Sequence, residues 1–147
     1  MPKMTVRVLN MGSLQGKVKR LNWGIQAAVV MALRNLAGPI EEDVKNVLSK
    51  PKSGPTVTRY NPERQVKVSK PYEAPAKDTG FLVASVEADV DPQQFNLTLS
   101  AAAKYAKPLE NGTRHMLPRP FLRPALTRWR QRIIDAIHKA IKEACRV

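Results

Sequence analysis

The chain has 147 residues, 43% hydrophobic and 25% charged, a composition ordinary for one globular domain over residues 1–147. With no run of about 18 apolar residues and no signal-peptide order of charged, apolar and small residues at its start, it is expected neither to span a membrane nor to be secreted by the standard route. One cysteine, Cys145, excludes an intrachain disulfide framework, and its distance from His115 and His138 matches no metal-ligand spacing.

In chain order, Met4 to Leu9 alternate well enough for a short strand, and Met11-Gly12-Ser13 break that pattern. Ser13 suits a helix N-cap. From there Leu14, Val18, Leu21, Ile25, Ala28, Val29, Ala32, Leu33 and Leu36 recur at three- and four-residue steps, which predicts an amphipathic helix. Gly38-Pro39 should end or kink it, because proline lacks the N–H and crowds the preceding turn; Ile40, Val44, Val47 and Leu48 then continue a second helical segment.

Residues 50–76 hold five prolines among charges, with short alternating pieces only at Thr56 to Tyr60 and Gln65 to Ser69. They read as an extended arm or as a loop with a weak hairpin. Leu82, Ala84, Val86, Ala88 and Val90 alternate with Val83, Ser85, Glu87 and Asp89, and Phe95, Leu97, Leu99 and Ala101 alternate after a turn. That predicts an antiparallel pair with one face on a core. Pro124 suits the first position of a last helix running to about Arg146, with Leu126, Trp129, Ile133, Ala136, Ile137, Ala140, Ile141 and Ala144 on its core side. The fold class is α+β, with long N- and C-terminal helices packed on a small antiparallel sheet and an extended Pro-rich arm.

Twenty-five Lys and Arg oppose twelve Asp and Glu, a net charge of +13, and the excess is +6 over residues 1–35, zero over 36–111 and +7 over 112–147. Two basic ends around a neutral middle suggest a polyanionic or acidic partner for whatever face the ends share. On the last helix Arg128, Arg132, Lys139, Lys142 and Arg146 form a stripe that could track an acidic surface or a phosphate backbone, although a solvated helix face has the same pattern. Catalysis is not expected. Neither histidine has the context of a general base, no nucleophile elbow is present, and none of the seven glycines builds a phosphate cradle, so no catalytic residue, cofactor or metal is assigned.

Gly112 suits a tight turn that Thr113 can hold by local hydrogen bonds. Glu110 stands close enough in sequence to pair with Arg114 or Arg119, and Phe121-Leu122, between Pro120 and Pro124, should plug the core above Tyr105. The string Tyr105-Ala106-Lys107-Pro108-Leu109-Glu110-Asn111-Gly112-Thr113, followed by Pro118-Arg119-Pro120-Phe121-Leu122-Arg123-Pro124-Ala125-Leu126, resembles the signature of tail-completion proteins, the neck, head-tail connector or minor tail components of tailed bacteriophages. Upstream, Ala74-Pro75-Ala76-Lys77-Asp78-Thr79-Gly80-Phe81-Leu82 with Ser85 resembles a Thr-Gly block of the same family, and the order of parts matches over roughly residues 14–140.

The resemblance implies a structural virion protein at the head-tail junction, made in the host cytoplasm and assembled with itself into a ring, sixfold in long-tailed phages. Its neighbours would be a connector protein and the tail tube protein, with DNA passing through the ring without sequence-specific binding. Rings need heterologous contacts between copies, and the Pro-rich segment is expected to reach a neighbouring copy or an adjoining ring and order on assembly. A basic nucleic-acid-binding protein is the competing reading, weakened by 5% aromatic content and the neutral middle.

Overall fold

The computed structural model describes residues 4–7, 22–60 and 62–146. Strand β1 (Met4–Arg7) is followed by helix α1 (Trp23–Ser49), strands β2 (Thr56–Arg59) and β3 (Arg64–Lys67), a one-turn helix α2 (Phe81–Ala84), strands β4 (Val86–Asp91) and β5 (Asn96–Ala101), a short helix α3 (Ala106–Asn111) and helix α4 (Leu122–Ala144). This is the α+β arrangement expected: two long helices on small antiparallel sheets. The predicted start of the first helix at Ser13, with Leu14, Val18 and Leu21, lies outside the described residues.

Within the described residues α1 begins at Asn22, whose side-chain oxygen accepts from the Ile25 amide at 3.1 Å and so satisfies one orphan donor of the first turn. The helix does not stop at Pro39 but continues through it to Ser49, one long helix over both apolar stretches. Gly38 and Pro39 sit on its exposed side, so the carbonyl that Pro39 leaves without a donor lies toward water, while Leu33, Ile40 and Val44 keep the buried face continuous. At its end the chain supplies its own C-cap. Lys52 folds back and its ammonium donates to the Val47 carbonyl at 2.6 Å, where a cation also meets the negative end of the helix dipole. Burial of this lysine holds its pKa below the ordinary value.

The main sheet has the order β1-β5-β4, antiparallel throughout, with Val86 opposite Ala101 and Asp91 opposite Asn96 in the β4–β5 hairpin. In the hairpin loop Asp91 accepts from the amides of Gln93 and Gln94, and Phe95 adopts a left-handed φ of 52°. Its buried ring compensates for that strain. The predicted strand at Leu82–Val90 is shorter than its alternation implied. Gly80, at φ 84°, turns the chain into α2, and a strand starts only at Val86. Four residues of period two cannot be told from one helical turn that buries a single leucine, here Leu82.

Of the two forms expected for the Pro-rich segment, the hairpin is the one formed, and an extended arm is not seen. β2 and β3 pair in register from Thr56–Lys67 to Arg59–Arg64. Gly54 N–H donates to Val68 O at 3.0 Å, Glu73 accepts from the Ser53 and Lys70 amides and the Ser53 hydroxyl, and Tyr72 N–H reaches Pro118 O at 2.8 Å. Arg64 and Arg59 both pair with Asp78. These ties fasten the segment to its own chain. Tyr60 at the end of β2 is 79% exposed and Tyr72 68%.

The core lies between α1, α4 and the sheet. Leu33, Ile40, Val44, Leu97, Leu99, Phe121, Leu122, Ile133 and Ile137 are all at most 1% exposed. At the rim of the helix pair, Asp43 of α1 accepts from the Arg128 guanidinium at 2.7 Å and from the Trp129 indole N–H at 3.1 Å, both through Oδ2. Burial works against the charge, yet these two bonds outweigh it and hold the Asp43 pKa below its ordinary value.

A carboxylate with a depressed folded pKa contributes stability that is present above its unfolded pKa and lost as pH falls through the folded one. Asp43→Asn is therefore expected to lower stability at pH 7 by about 0.5–1 kcal/mol, because the pair is partly exposed. The difference from wild type should shrink as pH falls through and below the ordinary carboxylate range, which urea unfolding at stepped pH would measure.

Candidate functional site

The residues singled out between Tyr105 and Pro124 form one joint, organised by Glu110. This carboxylate is 2% exposed. Its Oε2 accepts from the Phe121 amide at 2.7 Å and the Leu122 amide at 3.0 Å, and its Oε1 accepts from the Arg123 amide at 2.9 Å. These are the donors that the start of α4 leaves without helical partners, and the next residue, Pro124, has no N–H to satisfy. One side chain therefore caps the whole first turn, with its negative charge at the positive end of the helix dipole. The expected pairing of Glu110 with Arg114 or Arg119 does not form. A buried carboxylate facing three fixed amides gains more than one reaching for an exposed guanidinium. Pro124 falls at the third helical position rather than the first, because the capped turn starts at Leu122.

The chain between these residues is a tight reversal. Gly112 has φ 76°, and a Cβ there would sit 2.9 Å from the Met116 carbonyl oxygen, so only glycine fits. Thr113 N–H donates to Met116 O at 2.8 Å, and the Thr113 hydroxyl accepts from the His115 amide at 3.3 Å. Arg119 N–H closes the reversal on Leu109 O at 2.6 Å. Phe121 and Leu122 plug the core as expected. Tyr105 does not lie beneath them. It is 44% exposed and its ring stands 6.5 Å from that of Phe81, with its phenol pKa raised chiefly by burial of the hydroxyl.

Beside this joint opens a pocket of about 320 Å³ between the β2–β3 hairpin and the body. Its wall takes Val66, Val68 and Ser69 from the hairpin and its following strand end, Leu48 from α1, Asp78, Thr79, Gly80 and Leu82 from the Thr-Gly block, Tyr105 and Leu109 from the α3 region, and Arg119. Ser69 was not foreseen here. Its place at the end of an alternating run gave no sign that its hydroxyl would be buried.

The cationic stripe of α4 is only partly available to a partner. Arg128 is engaged by Asp43, Arg132 lies 4.9 Å from the centre of the Trp129 ring, and Lys139 stands 3.9 Å from Glu143. Lys142 and Arg146 are exposed. Among the described residues no cluster of three or more His, Cys, Asp or Glu could hold a metal ion, and no helix is long and apolar enough to cross a membrane. No protein family, curated protein or solved structure matches the chain.

Glu110→Ala would strand three amides at the head of α4 and is expected to cost about 3 kcal/mol or more, with Glu110→Gln milder because one oxygen still accepts. Gly112→Ala should cost about 1–3 kcal/mol through backbone strain and the Met116 clash. Denaturant midpoints of the three variants, read with an unchanged m-value, would check both figures.

Proposed function

We propose that the protein is a structural component of a bacteriophage neck, of the tail-completion kind, which assembles as a ring at the head-tail junction. The observation that carries this reading is convergence. The three sequence blocks that resemble the family, at residues 74–85, 105–113 and 118–126, meet around one joint and one pocket, with Asp78, Thr79 and Gly80 from the first, Tyr105 and Leu109 from the second and Arg119 from the third in the same wall. Glu110 binds the second block to the third.

A ring of identical copies needs a surface that meets a different surface on the next copy. Exposed Trp23, Tyr60, Tyr72, Phe81 and Leu117 are large apolar groups of the kind that central interface positions favour. The hairpin, though folded on its own chain, carries Tyr60 outward at its tip and supplies a projecting contact to a neighbour. The basic excess then meets acidic faces of the rings above and below, since a conduit that held DNA tightly would hinder its passage.

The competing reading, a nucleic-acid-binding protein, draws on the exposed cations Arg130, Lys142 and Arg146 of the last helix. In the phage or prophage that carries the gene, the tagged protein should sediment with DNase-treated particles and give immunogold label at the head-tail junction. Absence from particles would overturn the neck reading. Duplex binding by the purified protein with a steep negative slope of affinity against salt would then replace it.

A further inference from the structure

The pocket under the hairpin holds two polar groups that the fold leaves without partners. The Ser69 hydroxyl, on a side chain 2% exposed, has no hydrogen-bond partner, and neither has the buried Nε–H of Arg119. Both residues belong to the wall of the same pocket. Buried polar groups in folded proteins are nearly always paired, so two orphans in one cavity mark a place where something else supplies the partner. No internal carboxylate serves Arg119: Asp78, in the same wall, is taken by Arg64, whose Nε donates to it at 3.0 Å, and by Arg59.

The chemistry of the missing group follows from the surroundings. An arginine Nε–H, with the adjacent Nη, matches the fork of a carboxylate, and a serine hydroxyl can donate to the same oxygens. The rest of the wall is largely apolar, with Leu48, Val68, Leu82 and Leu109, which suits a short hydrocarbon stem behind the charge. With Asp78 already paired with Arg64 and Arg59, Arg119 and Lys77 are the cations of the lining left to attract an anionic group. The volume of about 320 Å³ is at the small end of ligand sites and fits one side chain or a small acid.

We propose that this pocket binds a carboxylate on a short apolar stem through Arg119 and Ser69, the chemistry shared by a glutamate side chain of a neighbouring protein and a free short-chain carboxylic acid. The inference rests on the pocket and does not require the neck reading, so either can fail without the other.

The probes are isovalerate, its neutral analogue isovaleramide, and the capped tripeptide Ac-Leu-Glu-Leu-NH2, titrated at constant ionic strength into the ¹⁵N-labelled full chain. The Arg119 Nε–H and the Ser69 amide are the reporters. Isovalerate or the tripeptide should shift both saturably, with a dissociation constant of about 1–30 mM for so small a ligand, and isovaleramide should bind at least about tenfold more weakly. Arg119→Gln should abolish the shift of the Ser69 amide. Ser69→Ala, a smaller change, should weaken binding several-fold and keeps the test decisive if Arg119→Gln fails to fold.

Tighter binding of the tripeptide than of isovalerate assigns the site to a protein neighbour, and the reverse order assigns it to a free acid. Saturation by neither, or equal binding of isovaleramide, overturns the proposal.

Discussion

A carboxylate removed from water must be answered by donors in fixed positions, and in this chain the donors are the first amides of the longest C-terminal element. Glu110 and α4 each supply what the other lacks: the helix start has three amides and no internal acceptors, and the buried carboxylate has lone pairs and no solvent. Because Glu110 is carried on α3 and the amides lie beyond a reversal, the contact also fixes the path between them. Gly112, the Thr113–Met116 bridge and the Arg119–Leu109 bond are the geometry that brings the two ends within reach. Phe121 then enters the core at a set angle, and α4 lies along α1 from there.

The two long helices are joined by different physics at different depths. Deep in the interface the contact is aliphatic, Leu33, Ile40 and Val44 against Leu122, Ile133 and Ile137, and it has little directional preference. At the rim, Asp43 with Arg128 and Trp129 adds direction, since a shared oxygen accepts from two donors on consecutive residues of the facing helix. A rotation of α4 that kept its apolar face buried would break that arrangement. The rim thus selects among helix orientations that the core alone would tolerate.

Much of this architecture was legible because periodicity reports burial directly. The alternation of Phe95, Leu97, Leu99 and Ala101 and the helical spacing of Ile25, Val29, Leu33, Leu126, Ile133 and Ile137 name the residues that the core contains. What stayed hidden depended on contacts between distant or differently oriented groups. Glu110 looked like a partner for nearby arginines because sequence shows charge and not the direction of an amide. The hairpin looked like an arm because its ties, Ser53 to Glu73, Arg64 to Asp78 and Tyr72 to Pro118, join residues 14 to 46 apart in the chain. The pocket was invisible for the same reason, being assembled from segments that only the hairpin's fold-back brings together.

The tie between Glu41 and the sheet also guards one edge of the sheet. Glu41 of α1, its pKa lowered first by the Lys45 ammonium and further by the Ala88 amide, accepts the outward N–H of Ala88 on β4 at 3.1 Å. A foreign strand approaching that margin would have to displace a charged acceptor already paired with a cation, which is the way sheet proteins discourage edge-to-edge stacking. On the opposite margin β1 is bonded to β5 alone among the described strands. Growth of the sheet by addition of another chain's backbone is therefore resisted at its β4 flank.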